Sequence, residues 1–416
     1  MFSVADLKSF LKIGRISIDN WVFVLHYKLT VIILIVLSIL VGSSQYFGDP
    51  IDCTIPPTEI SNYVDSYCWF NAYTLVDENG NVFTQVKKLE LHNRKISSGQ
   101  YSTDIKHYKE VKQNFYQWIG MVLLIQAGFF YAPRFIWKTL FEEGRVKELV
   151  RGLESHITED SEFEKRQEKI IEYIKNNKGH HLFYALKFFF CEVLNFVNVI
   201  AQIILTDWFL GHAFLKYGLQ WLWYDSSDDV GEVFHPSHRY FPKEALCRVY
   251  FGSPTGAESN FYSARCILPI QIFNEKIYLF LWFYFIILAA ITGCMLVYRV
   301  IVLLFPGVRY YLFCKKAWAT DEKILRTVVY DFDIGDWFII YQMVKNTDPF
   351  VFAKLMKRVH EKLVSGSRAF SAIGGGEESH DQLLDVYATN ANYDIDEKHE
   401  KLNLNQGLAR PYFPNN

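Results

Sequence analysis

Cysteine is the residue type whose spacing in this 416-residue chain points to a definite chemistry, and seven are present. Cys53 and Cys68 lie 15 positions apart, and Cys247 and Cys266 lie 19 apart. Pairs so separated, with no CxxC, do not suit a tetrahedral zinc site. They read as disulfide-forming thiols, and disulfides persist only in an oxidising compartment. Four cysteines allow three connectivities, among which spacing does not choose. The other candidates for chemistry are weak. His235-Pro236-Ser237-His238 lacks an acidic partner at metalloprotease spacing. The run from Asp225 to Glu232 lacks the ligand periodicity of a calcium loop and reads as a solvated turn. Gly374-Gly375-Gly376 has no Lys-Ser/Thr after it to complete a phosphate loop, and reads as linker. With no catalytic constellation, the expectation is a protein that is not an enzyme and holds no cofactor or metal.

The elements that carry the cysteines are set by apolar blocks. Half of the residues are hydrophobic, 17% are aromatic and 21% charged. The apolar ones gather in stretches of about 20, the length that crosses roughly 30 Å of hydrocarbon. Stretches at 28–48, 113–136, 182–210 and 277–304 predict four transmembrane helices. The net charge of −2 (43 basic against 45 acidic residues) argues against a nucleic-acid partner and leaves membrane lipid as the surrounding phase.

The third stretch is mixed: Glu192, Asn195, Asn198 and Gln202 recur every three or four residues and share one helix face. A charge facing hydrocarbon is costly, so that face meets protein or water. Inter-helix hydrogen bonding and the lining of an aqueous cavity are both open on this pattern. Four spans put both termini on one side. The paired cysteines fall between spans one and two and between spans three and four, so those loops read as extracellular and the termini as cytoplasmic. Residues 1–27 show no cleavable signal core.

The expected organisation is therefore a cytoplasmic amino-terminal helix (1–27), the first span (28–48), an extracellular loop (49–112) and the second span (113–136). A charged cytoplasmic loop (137–181), the third span (182–210), a second extracellular loop (211–276) and the fourth span (277–304) follow. A cytoplasmic helical region (305–364) and a polar tail that reads as disordered (365–416) complete the chain. The loops read as small disulfide-stapled β-structures, from β-prone runs such as Tyr67–Phe70 and Cys247–Phe251. No Asn-x-Ser/Thr sequon occurs, which leaves the outer face free for close protein contact. In residues 1–20, Phe2, Val4, Leu7, Phe10, Leu11 and Ile18 mark an apolar face at helical spacing. That segment lies on the membrane surface or folds back into a pore mouth. Ser38, Gly42 and Gln45 give the first span a small and polar stripe, suited to pore lining or to helix packing.

Several stretches resemble the innexins, the gap-junction proteins of invertebrates, and insect members above all. They are Ile18-Asp19-Asn20, His26-Tyr27-Lys28, Gln45 through Cys53, Tyr116-Gln117-Trp118, Phe190 through Phe196, Phe241-Pro242-Lys243, Asn274 through Tyr278 and Ile334 through Phe338. Two departures stand out. Phe115 replaces the first Tyr of the Tyr-Tyr-Gln-Trp signature, and Gly252-Ser253-Pro254-Thr255-Gly256 replaces Gly-Pro-Ser-Gly. The resemblance implies an all-α membrane subunit with small α/β extracellular loops and a helical cytoplasmic domain. It implies a homo-oligomeric ring, expected to be octameric, that docks with a hemichannel of an apposed cell and that other innexins can join. It further implies Cys53–Cys266 and Cys68–Cys247 disulfides, a plasma-membrane location, and a pore lined by the amino-terminal segment and first span. Phe2, Ser38, Gly42, Gln45, Asp49 and Asp52 are the expected lining residues.

Overall fold

The computed structural model describes residues 19–54, 61–76, 109–142, 148–150, 160–223, 236–251 and 260–373. It is a mostly helical membrane-spanning bundle with a small sheet at one end and a packed helical domain at the other. We number the elements in chain order. Helix α1 (Trp21–Phe47) is the first span, with a π-turn at Leu25–Thr30. Helix α2 (Ser61–Asn71) lies in the first loop between strands β1 (Asp52–Thr54) and β2 (Tyr73–Val76), and β3 (Lys109–Lys112) closes that loop. Helix α3 (Phe115–Phe141) is the second span, α4 (Asp160–Asn176) is charged, and α5 (Leu182–Phe209) is the third span. The second loop holds α6 (Phe214–Leu222), α7 (Pro236–Tyr240), β4 (Glu244–Phe251) and β5 (Asn260–Ile267). Helix α8 (Pro269–Leu304) is the fourth span. It is followed by α9 (Pro306–Lys316), α10 (Glu322–Tyr330), α11 (Ile334–Asn346) and α12 (Pro349–Ile373).

All five strands pair antiparallel in the order β1-β5-β4-β2-β3. The hairpin of the second loop forms the centre, and the strands of the first loop flank it on both sides. Neither loop makes this sheet alone. A two-stranded hairpin is marginal in water, so the pairing of the loops is what stabilises both.

The observed boundaries differ from the expected ones where the chain lacked a hydropathy signal. Helix α1 begins at Trp21, well before residue 28, because Trp21–Lys28 already packs against the bundle: His26 is buried with Nε2 2.8 Å from Thr292 Oγ1 of α8. Helix α8 begins at Pro269, a residue favoured in a first helical turn, so it projects beyond the membrane with Asn274 and Glu275 buried in protein. The run Tyr67–Phe70, expected as strand, lies inside α2. There Val64 and Cys68, four apart, point together into the sheet. Cys247–Phe251, also expected as strand, is one. Helix α12 continues to Ile373, past residue 365. The proposed amino-terminal helix with Phe2, the acidic run Asp225–Glu232, the Gly252–Gly256 segment and the tail from 374 lie outside the described residues.

Two apolar cores alternate with the polar contacts. One, from Leu34 and Leu123 through Tyr116, Phe241 and Cys266, joins the spans to the sheet. The other, around Trp137, Phe188, Phe313 and Trp337, joins the opposite end of the spans to the helical domain.

Candidate functional site

At the sheet end, Cys53 and Cys266 are direct partners across β1 and β5, with Cα atoms 3.9 Å apart, and they form one disulfide. Cys68, from the buried face of α2, reaches Cys247 on β4 to form the other, Cα to Cα 5.7 Å. These are the two pairings implied by the resemblance. All four cysteines are buried. Asp65, one turn before Cys68, accepts the Cys53 N–H at 2.8 Å. Burial raises its carboxyl above the ordinary carboxylate range, the Cys53 amide opposes this, and the negative charges of Asp52 and Asp49 raise it further. Asp49 and Asp52 are exposed beside it, at the sheet-side end of the first span.

The turn Phe115–Trp118 explains why these loops are held so firmly to the bundle. Tyr116 is fully buried, its hydroxyl donates to the Trp69 carbonyl at 2.7 Å, and Gln117 Nε2 donates to the same oxygen at 2.7 Å. The Trp69 and Tyr116 rings meet at 4.6 Å between centroids. From the other side, Gln45 Nε2 donates to the Tyr116 carbonyl at 2.8 Å. One tripeptide thus ties the disulfide-bearing helix α2, the head of span two and the head of span one. Trp118 points outward and is exposed. Phe115 packs edge-on against Phe241.

The small and polar stripe of span one divides in two. Ser38 is buried and donates to the Gly120 carbonyl of α3 at 2.7 Å, and Gln45 is held as described. Both use their polar atoms against span two. At Gly42 a Cβ would meet nothing within 4 Å, so this position faces open space. On span three, Glu192 accepts a two-pronged ion pair from Arg299 of α8, at 2.8 and 2.6 Å. Asn195 donates to the Cys191 carbonyl, and Thr206 accepts from Gln126 of α3 at 2.8 Å. Of the face read from sequence, Glu192 bonds to another helix, whereas Asn195 and Gln202 donate within α5 itself, to the Cys191 carbonyl and to Asn198. Arg299 is the partner that sequence reading missed. It is the first charge along the fourth span after Lys276, and Glu192 is the acid within the third.

At the opposite end, Asp19 is buried and accepts from Arg134 at 2.6 Å and from Tyr27 at 3.2 Å, while Lys345 donates to its backbone carbonyl. Burial raises the Asp19 carboxyl, and Arg134 offsets part of that shift. The base of span one is thereby joined to span two and to α11. A second joint lies at Ile334–Phe338. A Cβ on Gly335 would overlap the His181–Leu182 backbone, so only glycine permits the approach of α11 to the start of α5. Asp336 accepts from the Gly179 N–H at 2.7 Å and lies 2.7 Å from His181 Nδ1. Replacing Asp336 by alanine leaves the buried His181 ring without its carboxylate partner, at about 1–3 kcal/mol, and returns the exposed Gly179 N–H to water. The expected outcome is faster trypsin cleavage at Lys178, beside this joint, with the disulfide-bonded loops still protected. Unchanged cleavage counts against it.

Comparison with known proteins agrees with this arrangement. The innexin family profile matches residues 19–363. The chain is 38% identical to innexin inx2 of Drosophila melanogaster over 365 residues, covering 87% of this chain and 96% of that protein. It is 38% identical to innexin inx2 of Schistocerca americana (87% and 98% covered) and 32% identical to innexin shaking-B of Drosophila melanogaster (86% and 93%). Four apolar spans, two loops joined through Cys53–Cys266 and Cys68–Cys247, and a match over most of its length lead to one assignment: the chain belongs to the innexin family, the subunits of gap-junction channels.

Proposed function

We propose that copies of this chain, alone or with other innexins, assemble into an eight-membered ring at the plasma membrane. This large-pore hemichannel docks with another in the adjacent cell and passes ions and small molecules. The observation that carries the docking role is the single sheet woven from both loops at one end of the bundle. It presents a rigid, disulfide-braced surface beyond the membrane, with its cysteines in an oxidising compartment and both termini in the cytoplasm.

Dual voltage clamp of two paired cells, each expressing this chain alone, tests the reading. Junctional current supports docking with an open pore. Dye uptake into single cells without junctional current would replace it with an undocked hemichannel. Neither signal, with the protein at the surface, would leave a subunit that needs a second family member, or an adhesion protein.

Within the ring, Phe2 belongs at the inner mouth, Gly42 on the pore wall, and Asp49 and Asp52 at the outer mouth. Ser38 and Gln45 support the wall by fixing span one to span two. A wide pore leaves ions hydrated, so selectivity is weak and set by ring charges. Changing Asp49→Asn and Asp52→Asn together is expected to lower the cation-to-anion permeability ratio by about two- to threefold. Reversal potentials in asymmetric salt read this directly, and an unchanged ratio removes both aspartates from the pore.

A further inference from the structure

The chain reverses sharply after span three. Gly211 and His212 both adopt left-handed backbone, at φ 66° and 63°, which is uncommon for a residue with a Cβ. Asp207 braces the reversal: its carboxylate accepts the Leu215 N–H at 3.0 Å and lies 3.1 Å from His212 Nδ1. Helix α6 then runs back beside the fourth span. Phe214 stands against Tyr278 and Trp221 against Phe283, at 6.3 and 5.9 Å between ring centroids. Between them, Gly218 lies so close to the Trp282 indole that a Cβ would overlap it. Progress along α6 is therefore progress along α8, away from Lys276 and into a stretch without charge before Arg299. At 1.5 Å per residue, Phe283 lies about 10 Å beyond Lys276. The antiparallel contacts of Glu192 with Arg299 and of Phe196 with Gly293 put that level beside the last turns of α5, near Thr206.

The surface of α6 fits this depth. Phe214, Tyr217 and Gly218 are buried against the bundle. Leu215, Leu219, Leu222 and Trp223, spaced as one helix face, are 37%, 50%, 51% and 86% exposed. On α5, which α6 contacts, Ile204, Leu205 and Trp208 are exposed as well. Lys216 and Gln220, one turn apart, form a separate polar strip. We infer that α6 is a re-entrant helix whose Leu215, Leu219, Leu222 and Trp223 face contacts lipid acyl chains in the sheet-side leaflet, mooring the second loop to the bilayer. The depth along α8 and the exposed apolar residues of neighbouring span three select lipid as the occupant. The inference rests on the membrane-spanning part of the function proposed above.

The test places the photo-crosslinker p-benzoylphenylalanine at Leu219, at Ile204 on span three and at Asn62 on α2, in the full-length protein in phosphatidylcholine vesicles. Lipid adducts at Leu219 comparable to those at Ile204, and severalfold above those at Asn62, are the expected result. A crosslink from Leu219 to a second copy of the chain would overturn it in favour of a subunit interface. Adducts at Ile204 with none at Leu219 would overturn it in favour of water contact. Failure at Ile204 as well would sink the membrane-spanning reading itself, and this inference with it.

Discussion

Replacing Cys247 by serine is expected to abolish junctional current while leaving the four-span bundle in the membrane. The lost bridge joins α2 to β4 across 179 residues of chain. Removing a disulfide that closes so long a loop costs about 2–5 kcal/mol. The bundle has its own contacts, from Ser38 with Gly120 to Glu192 with Arg299, and does not depend on that bridge. The loops lean on it, because the first-loop strands flank the second-loop hairpin on opposite sides and this bridge ties α2 to the hairpin's β4 strand. The damage also spreads. The sulfurs of Cys53, Cys68 and Cys266 lie within 4.8 Å of one another, so a Cys68 thiol freed in the variant sits next to the remaining disulfide and can exchange with it. Surface biotinylation together with dual voltage clamp checks this. Normal delivery with no junctional current is expected, and intact coupling would show that the docking surface survives without the bridge.

The second large effect is expected at Arg299. Changing it to alanine leaves the Glu192 carboxylate buried between α5 and α8 without its two-pronged partner. Breaking a buried pair in this one-sided way costs about 3–5 kcal/mol, enough to unfold a marginal assembly. The expected outcome is loss of the protein from the cell surface. The double change Glu192→Leu with Arg299→Met removes both charges while keeping volume, and should restore delivery. If Arg299→Ala alone reaches the surface at normal levels, the pair is not what holds the two spans together.

How much of this was legible in the sequence depended on whether the signal was local. The spans were legible because hydrocarbon imposes length and apolarity on consecutive residues. The part of α8 before residue 277 was not, since Gln271, Asn274 and Glu275 look like loop residues until Lys243 and the rest of the second loop bury them. The run Tyr67–Phe70 is β-prone by composition, yet it is helical because a Cys68 four residues after Val64 needs helical spacing to reach β4. The disulfide pairing came from family resemblance. Spacing left three possibilities, and only strand register separates them: Cys53 faces Cys266 across β1 and β5. In the candidate site, Tyr116, Gln117 and Trp118 were legible as a signature but not as a joint, because the acceptor at Trp69 is a backbone carbonyl that any residue would offer. The stripe at Ser38, Gly42 and Gln45 showed the same limit: its spacing defined one face, and only the partners at Gly120 and Tyr116 told which side chains were already engaged.

The strand order β1-β5-β4-β2-β3 also dictates a timetable for biosynthesis. With the loops on the lumenal side, as proposed above, Cys53 and Cys68 enter the lumen first, but their partners are made 213 and 179 residues later. At about 5–20 residues per second, the first loop waits roughly 10–40 s as unpaired thiols and unpaired strand edges. It cannot mature until spans three and four are inserted and the central hairpin arrives between its strands. A chain cut short before residue 244 therefore lacks both native partners of its first-loop cysteines, Cys247 and Cys266.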